Sequence, residues 1–429
     1  MYINMQRNLN ELVAANIISQ EIADKIQDYY NHKKGLSVNR LFVIFGILGG
    51  ILIGLGIILI IAHNWDNLPR VTKTLLAFIP LLCGQALGGY VIVRKQENIT
   101  WRESTSAFVF FSVGATITLV SQIYNIPGNL SSFLMIWMLL CLPLIYLMKS
   151  SITSLLYIIG ITYFACETGY WSHPSSESYT YWVLLIMVLP HYYFLLKKKP
   201  ASNFTIFHNY FIPLSIVITL GTVAKSMEEL MFIAYFSLFG LLYQIGSLKG
   251  FKKQKLSNNS YLIIGSLGTI VLLLALSFDG FWKELRYTTF HFSEIIVSPE
   301  FYVSALFTLL AGTLQYRKHY LRDLAGIKPI SVVFVGFIVT FFIGLASPVA
   351  ILIINILLLA IGILTIIDGA KQDHLGILNF GLLIITALIA CRFFDTDLSF
   401  VIRGLLFISV GFGFFMTNYW MLKNRKTHE

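Results

Sequence analysis

An uncharged run from Leu41 to Ala62 constrains this chain more than any other stretch. At about 1.5 Å per residue it is long enough to cross a hydrocarbon core of roughly 30 Å. Only 12% of the 429 residues are charged and 56% are hydrophobic, against about 25% charged in soluble domains. Most of the chain therefore has a solvent other than water, and the expected fold is an all-α, polytopic integral membrane helix bundle.

Fourteen apolar segments follow from hydropathy, near 41–62, 73–93, 104–123, 131–148, 151–168, 179–196, 207–224, 229–248, 259–278, 301–316, 329–346, 348–367, 374–391 and 400–421. The eleventh and twelfth are hard to separate around Ser347-Pro348. Charge tests this reading independently, because cytoplasmic loops of membrane proteins collect Lys and Arg. With the N-terminus inside, alternate loops hold most of the 31 basic residues. Only Arg70, Lys73, Lys225, Lys283, Arg286, Arg392 and Arg403 are left outside. The net charge of +10 is then a topology signal rather than a mark of nucleic-acid binding. Its partner is the bilayer, with an anionic cytoplasmic leaflet, and both termini are expected inside.

Three regions are expected: a cytoplasmic helical hairpin over 1–39, a first membrane domain of four spans over 40–148, and the remaining bundle over 149–429. In the hairpin, Asn16 ends a first helix and Ser19 caps a second that carries Ile22, Ile26 and Tyr30 at helical spacing. A hairpin this small buries too little to stand alone, so it should pack on the membrane domain or another chain. No cleavable signal precedes the first span, which is expected to serve as the insertion signal itself. Cys83, Cys141, Cys166 and Cys391 lie in or at the ends of apolar runs without a CxxC pair, and read as packing residues. Gly46, Gly50 and Gly54 recur every four residues, as do Gly84 and Gly88. That spacing lets helix backbones approach closely in lipid, which would make the first span a central strut. The loop 279–300, with Phe281, Trp282, Leu285, Phe290 and Phe292 among charges, suits the headgroup zone; a lid over an outer cavity is the alternative.

Few ionisable groups are expected at membrane depth, which argues against an ion-coupled carboxylate relay. Gln85, Thr116, Gln244, Asn355 and Asn379 stand at mid-span as interhelical hydrogen-bonding groups. The outer rim is richer. Asn64, Trp65 and Asp66 leave the first span, Gln122 and Tyr124 end the third, and Arg392 and Asp395 end the thirteenth. All face one side in this topology, so Asn64, Asp66, Gln122, Tyr124, Arg392 and Asp395 are the candidate binding residues, with Trp65 as an interfacial wall. Interface aromatics, turn-forming Asn and Asp, and Arg–Asp clips give the same pattern a purely structural explanation. No HExxH, GxSxG or P-loop occurs. Neither a cofactor nor a metal is expected, although His63, Asp395 and Asp397 are suitable ligand types.

Several of these residues carry a resemblance. The hairpin ending in Ile17-Ile18-Ser19, then Ala62-His63-Asn64-Trp65-Asp66, then Gln122-Ile123-Tyr124-Asn125-Ile126 resembles a bacterial family of predicted membrane proteins known only as a domain of unknown function. The likeness covers roughly residues 8–145, and the stretch around Asn379-Phe380-Gly381 and Arg392-Phe393-Phe394-Asp395 is similar to the distal half of longer relatives. Asn16 and Ser121 stand where glycine is more usual. The resemblance implies a bacterial inner-membrane protein and supplies no catalytic residues.

Three functions fit. The first is a transporter or flippase-like carrier of a neutral or amphipathic solute, such as an envelope lipid or glycan precursor. The second is a non-transporting scaffold with the rim as a docking patch for a periplasmic protein. The third is a membrane-embedded transferase on a lipid-linked substrate, which would need His63 or a carboxylate as base. The first is the leading reading, and on it the protein is not an enzyme.

Overall fold

The computed structural model describes residues 9, 11–15, 17–34, 65–171, 176–252, 255–288, 292–320, 328–393, 399–401, 404–405, 407–409, 411–413 and 415–416. The first span, its Gly46–Gly50–Gly54 row and most of the last span lie outside the described residues. Two compact units emerge, residues 1–76 and 77–429.

In the first unit Ile17 and Ile18 turn back onto the Leu12 carbonyl. Helix α1 (Gln20–Lys34) then begins. Ser19 Oγ accepts from the Ile22 N–H at 3.3 Å, and Lys25 pairs with Glu21 one turn on. The cap expected at Ser19 is present. Ile22, on the expected apolar face, is nevertheless 48% exposed. Trp65–Asn67 form a single 3-10 turn.

The regular elements of the second unit are all helices among the described residues. Its helices are α2 (Arg70–Tyr90, which begins in the first unit), α3 (Ile99–Tyr124), α4 (Leu130–Leu147), α5 (Ser151–Cys166), α6 (Thr180–Lys198), α7 (Asn203–Leu220) and α8 (Met231–Gly246). They continue as α9 (Ser260–Ala275), α10 (Asp279–Tyr287), α11 (Phe292–Val297), α12 (Pro299–Tyr320), α13 (Val333–Ala346), α14 (Val349–Lys371) and α15 (Leu375–Phe393). Every apolar segment from 73–93 to 374–391 is thus helical. Ser347 is extended and Pro348 opens α14, so the eleventh and twelfth segments are separate helices. Ten helices among the described residues are long and apolar enough to cross a bilayer, or eleven if α9 and α10, bent by 73°, count as one broken span. The α12 helix is not among those ten.

The hub is α8. Between Glu228 and Gly246, 78% of its membrane-length window is buried, against 22% to 50% for the other nine candidate spans. It carries no charge and contributes to two apolar clusters, one around Met138, Tyr157, Ile161 and Tyr181, the other around Trp282, Phe337 and Ile354. Small residues let its neighbours close in: a Cβ on Gly265 of α9 would stand 2.6 Å from the Tyr243 nitrogen and 2.7 Å from the Phe239 oxygen. Phe236 stacks on Phe337 of α13 at 4.0 Å. Since lipid tails are as apolar as Leu, such close fits supply the contact energy that water exclusion supplies elsewhere.

The 279–300 segment is anchored in the protein itself. Trp282 and Leu285 of α10 are buried, the Trp282 indole donates to the Leu276 carbonyl at 2.7 Å, and the ring fills the space beside Gly344. All four cysteines are free thiols, with Cys141 buried and Cys83 exposed.

Candidate binding groove at the end of α3

Local chemistry shapes the α3–α4 turn. Asn125 takes the left-handed conformation (φ 49°, ψ 44°) and closes the helix with its N–H on the Ser121 carbonyl. Asn tolerates this region where branched residues do not. Ser121 binds the turn twice, its carbonyl accepting from Ile126 N and its hydroxyl donating to the Ile126 carbonyl at 2.9 Å. Asn129 then caps α4, its Oδ1 accepting from Ser132 N at 2.8 Å and from the Ser131 hydroxyl at 3.0 Å. Several polar residues of the Ser121–Asn129 stretch are therefore accounted for by the turn they make.

Beneath the turn lies a groove of about 1130 Å³ between α2, α3 and α4. Its walls are apolar, with Phe78, Leu81, Ile117, Phe133, Ile136 and Leu140, and no charged side chain lines it among the described residues. From Gln122 it follows α3 to Val113, about 14 Å along the axis at 1.5 Å per residue. That is halfway down a helix of 26 residues. Thr116 is taken up by bonds to the Ala77 and Ser112 carbonyls. The amides of Gln122 near the turn and Gln85 further in line the groove and have no hydrogen-bond partner among the described residues. A donor–acceptor amide at two depths in an uncharged, apolar cleft is suited to hold an amphipathic molecule.

The candidate residues part company here. Gln122 lines the groove, whereas Tyr124, 51% exposed, ends α3 beside it. Arg392 is turned elsewhere: its guanidinium donates to Ser277 Oγ at 3.1 Å and covers the Phe278 ring at 4.6 Å. Asn355 of α14 donates to the Ser277 carbonyl, so these two side chains fasten the bend between α9 and α10. Trp65 and Asp66 belong to the first unit, where Lys73 stands over the Trp65 ring at 5.7 Å and Asp66 is exposed. Asn64 and Asp395 lie outside the described residues, as do His63, Asp397 and Arg403.

Sequence reasoning missed a buried polar layer at the start of α5. Glu103 Oε2 accepts from the Ser150 hydroxyl at 2.6 Å and the Ile152 N–H at 2.9 Å, and Arg102 pairs with its other oxygen at 3.1 Å. The Ser106 and Thr153 hydroxyls meet. His208 Nδ1 faces the Phe204 carbonyl at 2.7 Å and Nε2 faces Ser154 Oγ at 2.9 Å. A carbonyl only accepts, so Nδ1 carries a proton and donates there, while Nε2 shares a hydrogen bond with the Ser154 hydroxyl. Tyr192 bonds Asn209 and Tyr261, and His191 lies 5.9 Å from His208, ring to ring. The dense run Ser150-Ser151-x-Thr153-Ser154 was the available signal. The layer ties α3, α5, α6, α7 and α9 together.

The architecture defines a membrane protein with multiple candidate spans. Residues 10–154 match the family described as "Predicted membrane protein (DUF2157)", the domain of unknown function whose likeness the hairpin and the Gln122–Ile126 stretch carry. The match ends inside α5, and the groove, built from residues 78–140, falls wholly within it. No curated protein and no solved structure matches the chain.

Proposed function

We propose that this protein is a transporter or flippase-like carrier that takes a neutral or amphipathic, envelope-related solute into the groove between α2, α3 and α4. The observation that carries this reading is the groove itself: about 1130 Å³, apolar, uncharged, and furnished with the amides of Gln85 and Gln122. That volume lies just above the range of ordinary ligand pockets, roughly 300–1,000 Å³. Apolar walls would hold an acyl or isoprenoid chain, and the two amides would take a hydroxyl or amide headgroup. Among the described residues the groove brings no acid or base to a substrate, which favours carriage over a transferase reaction. The fourteen-span topology in a bacterial inner membrane, with both termini inside, would open the Gln122 end outward. Tyr124, which ends α3 beside the groove, would stand at the mouth. Arg392 enters the reading only through the bend it fastens.

The test is lipid scrambling. Full-length protein is reconstituted in vesicles holding a short-chain fluorescent lipid with an uncharged headgroup, and outer-leaflet label is quenched chemically. Wild type should expose inner-leaflet label, and Ile117→Trp, which fills the groove, should slow this by about tenfold or more, as expected for a lost interaction of at least 1.4 kcal/mol. Rates equal to those of protein-free vesicles, or unchanged by both Ile117→Trp and Gln122→Ala, would remove the groove from the function.

A further inference from the structure

A second cavity, which shares no residue with the groove, lies at the other end of the chain's order. It measures about 310 Å³ and is lined by α8, α9, α14, α15 and the turn before α13. Its walls are mostly apolar; Ser266 and Thr365 are turned back onto their own helices, which leaves Asp368 and Lys328 as the charged groups of the lining. Opposite charges sharing a cavity ordinarily pair. These two make no ion pair or side-chain hydrogen bond with each other or with any other described residue. Asp368 also opposes its own helix. It sits in the last turn of α14, where carbonyl ends concentrate negative potential and a cation is the favoured side chain. Lys371 stands in the same turn but makes no ion pair with Asp368, so the carboxylate has no cation in contact among the described residues.

The surroundings say what shape the occupant has. Gly369 lets α15 approach so closely that a Cβ would stand 2.4 Å from the Leu378 nitrogen. Asp373, at φ 48°, turns the chain between α14 and α15. Leu267 and Leu364 line it yet are 44% and 45% exposed, so the cavity opens sideways between α9 and α14 along the apolar flank of the bundle. Lys328 precedes the turn that leads into α13 and Asp368 lies in the last turn of α14, so both charges stand at helix ends. An occupant must thus carry an anion and a cation in its head and an apolar tail running alongside Leu267 and Leu364.

We propose that this cavity is a binding site for a zwitterionic phospholipid with a primary-amine headgroup. Lys328 takes the phosphate, Asp368 takes the ammonium, and an acyl chain lies against Leu267, Leu364 and Phe380. A primary ammonium donates hydrogen bonds to a carboxylate; a quaternary choline cannot, so Asp368 discriminates between them. Anionic lipid without an amine satisfies Lys328 and is repelled by Asp368.

Native mass spectrometry tests this with the full chain exposed to equimolar phosphatidylethanolamine, phosphatidylcholine and phosphatidylglycerol of identical acyl chains. Wild type should retain the ethanolamine lipid about tenfold over the choline lipid, the scale of one hydrogen bond to a charged group. Asp368→Asn should abolish that preference, and Lys328→Gln should weaken both zwitterionic lipids. Leu364→Trp should block retention with both charges intact, which guards against a charge variant that fails through misfolding. Equal retention of ethanolamine and choline lipids, equal or greater retention of the glycerol lipid, or a wild-type preference in Asp368→Asn would each overturn the proposal. A negative scrambling result leaves this site untouched.

Discussion

Glu300 offers the sharpest test of how this bundle is fastened. It opens α12 with its side chain fully buried. Its Oε1 accepts from the backbone N–H groups of Lys225, Ser226 and Met227 at 2.5, 2.9 and 3.1 Å. Those residues form the turn that leads into α8, so one carboxylate ties the hub's entry to another helix. Lys225 and Ser226 are exposed and can rehydrate, whereas Met227 is buried. Glu300→Ala therefore loses charge-assisted bonds and strands one buried donor, about 3–5 kcal/mol from roughly 1.5–3 for hydrogen bonds to a charged group and 1–3 for an unsatisfied group. Glu300→Gln keeps an acceptor oxygen and should cost only about 1–2 kcal/mol. Burial by itself raises the Glu300 carboxyl, but the N–H groups of Lys225, Glu300 itself, Met227 and Ser226 outweigh it and hold the group below its ordinary 4.5. A folded-state value below the unfolded one means the stabilisation is complete above about pH 4.5 and is lost as pH falls through the folded value. The apparent Tm of wild type, followed by tryptophan fluorescence in detergent, should exceed that of Glu300→Gln by a constant margin from pH 8 to about 5.5 and by a shrinking one below 4.5. A gap that persists or widens in acid would refute the reasoning.

Other expectations are read the same way. Gly265→Ala should lower stability by about 1–3 kcal/mol, because its Cβ meets backbone that cannot give way, while Gly88→Ala, with nothing within 4 Å, should be neutral or slightly stabilising; equal Tm shifts would contradict the close approach of α8 and α9. Trp282→Phe deletes the bond to the Leu276 carbonyl and should cost about 1–3 kcal/mol, seen as a lower denaturation midpoint. Asn125→Val should destabilise by about 1–2 kcal/mol through its left-handed backbone, with Asn125→Gly unchanged or better in the same thermal assay.

How much of this was legible beforehand depends on the range of the interaction. Helices lie on each described segment because an uncharged run in lipid can satisfy its backbone only internally. Helix ends were equally local: Ser19, Asn125 and Asn129 act on neighbours a few residues away. Which rim residues share a site is not a local matter. Gln122 lines a groove, and nothing near Arg392 in the chain shows that it reaches Ser277 and Phe278. The 279–300 segment was readable as amphipathic, yet its Trp282 is buried beside Gly344 rather than at a lipid surface.

The sequence by itself determined that the chain is a helical membrane protein, where most helices fall and how their ends are capped, since length, charge and turn chemistry act within a few residues. Tertiary structure alone decided that α8 is the hub, that α2, α3 and α4 part to leave a groove, that His208 meets Ser154, and that Asp368 shares a cavity with Lys328. In a bilayer the face against lipid and the face against protein are both apolar. Hydrophobic pattern then carries no record of which way a helix is turned, and only the packed bundle fixes it.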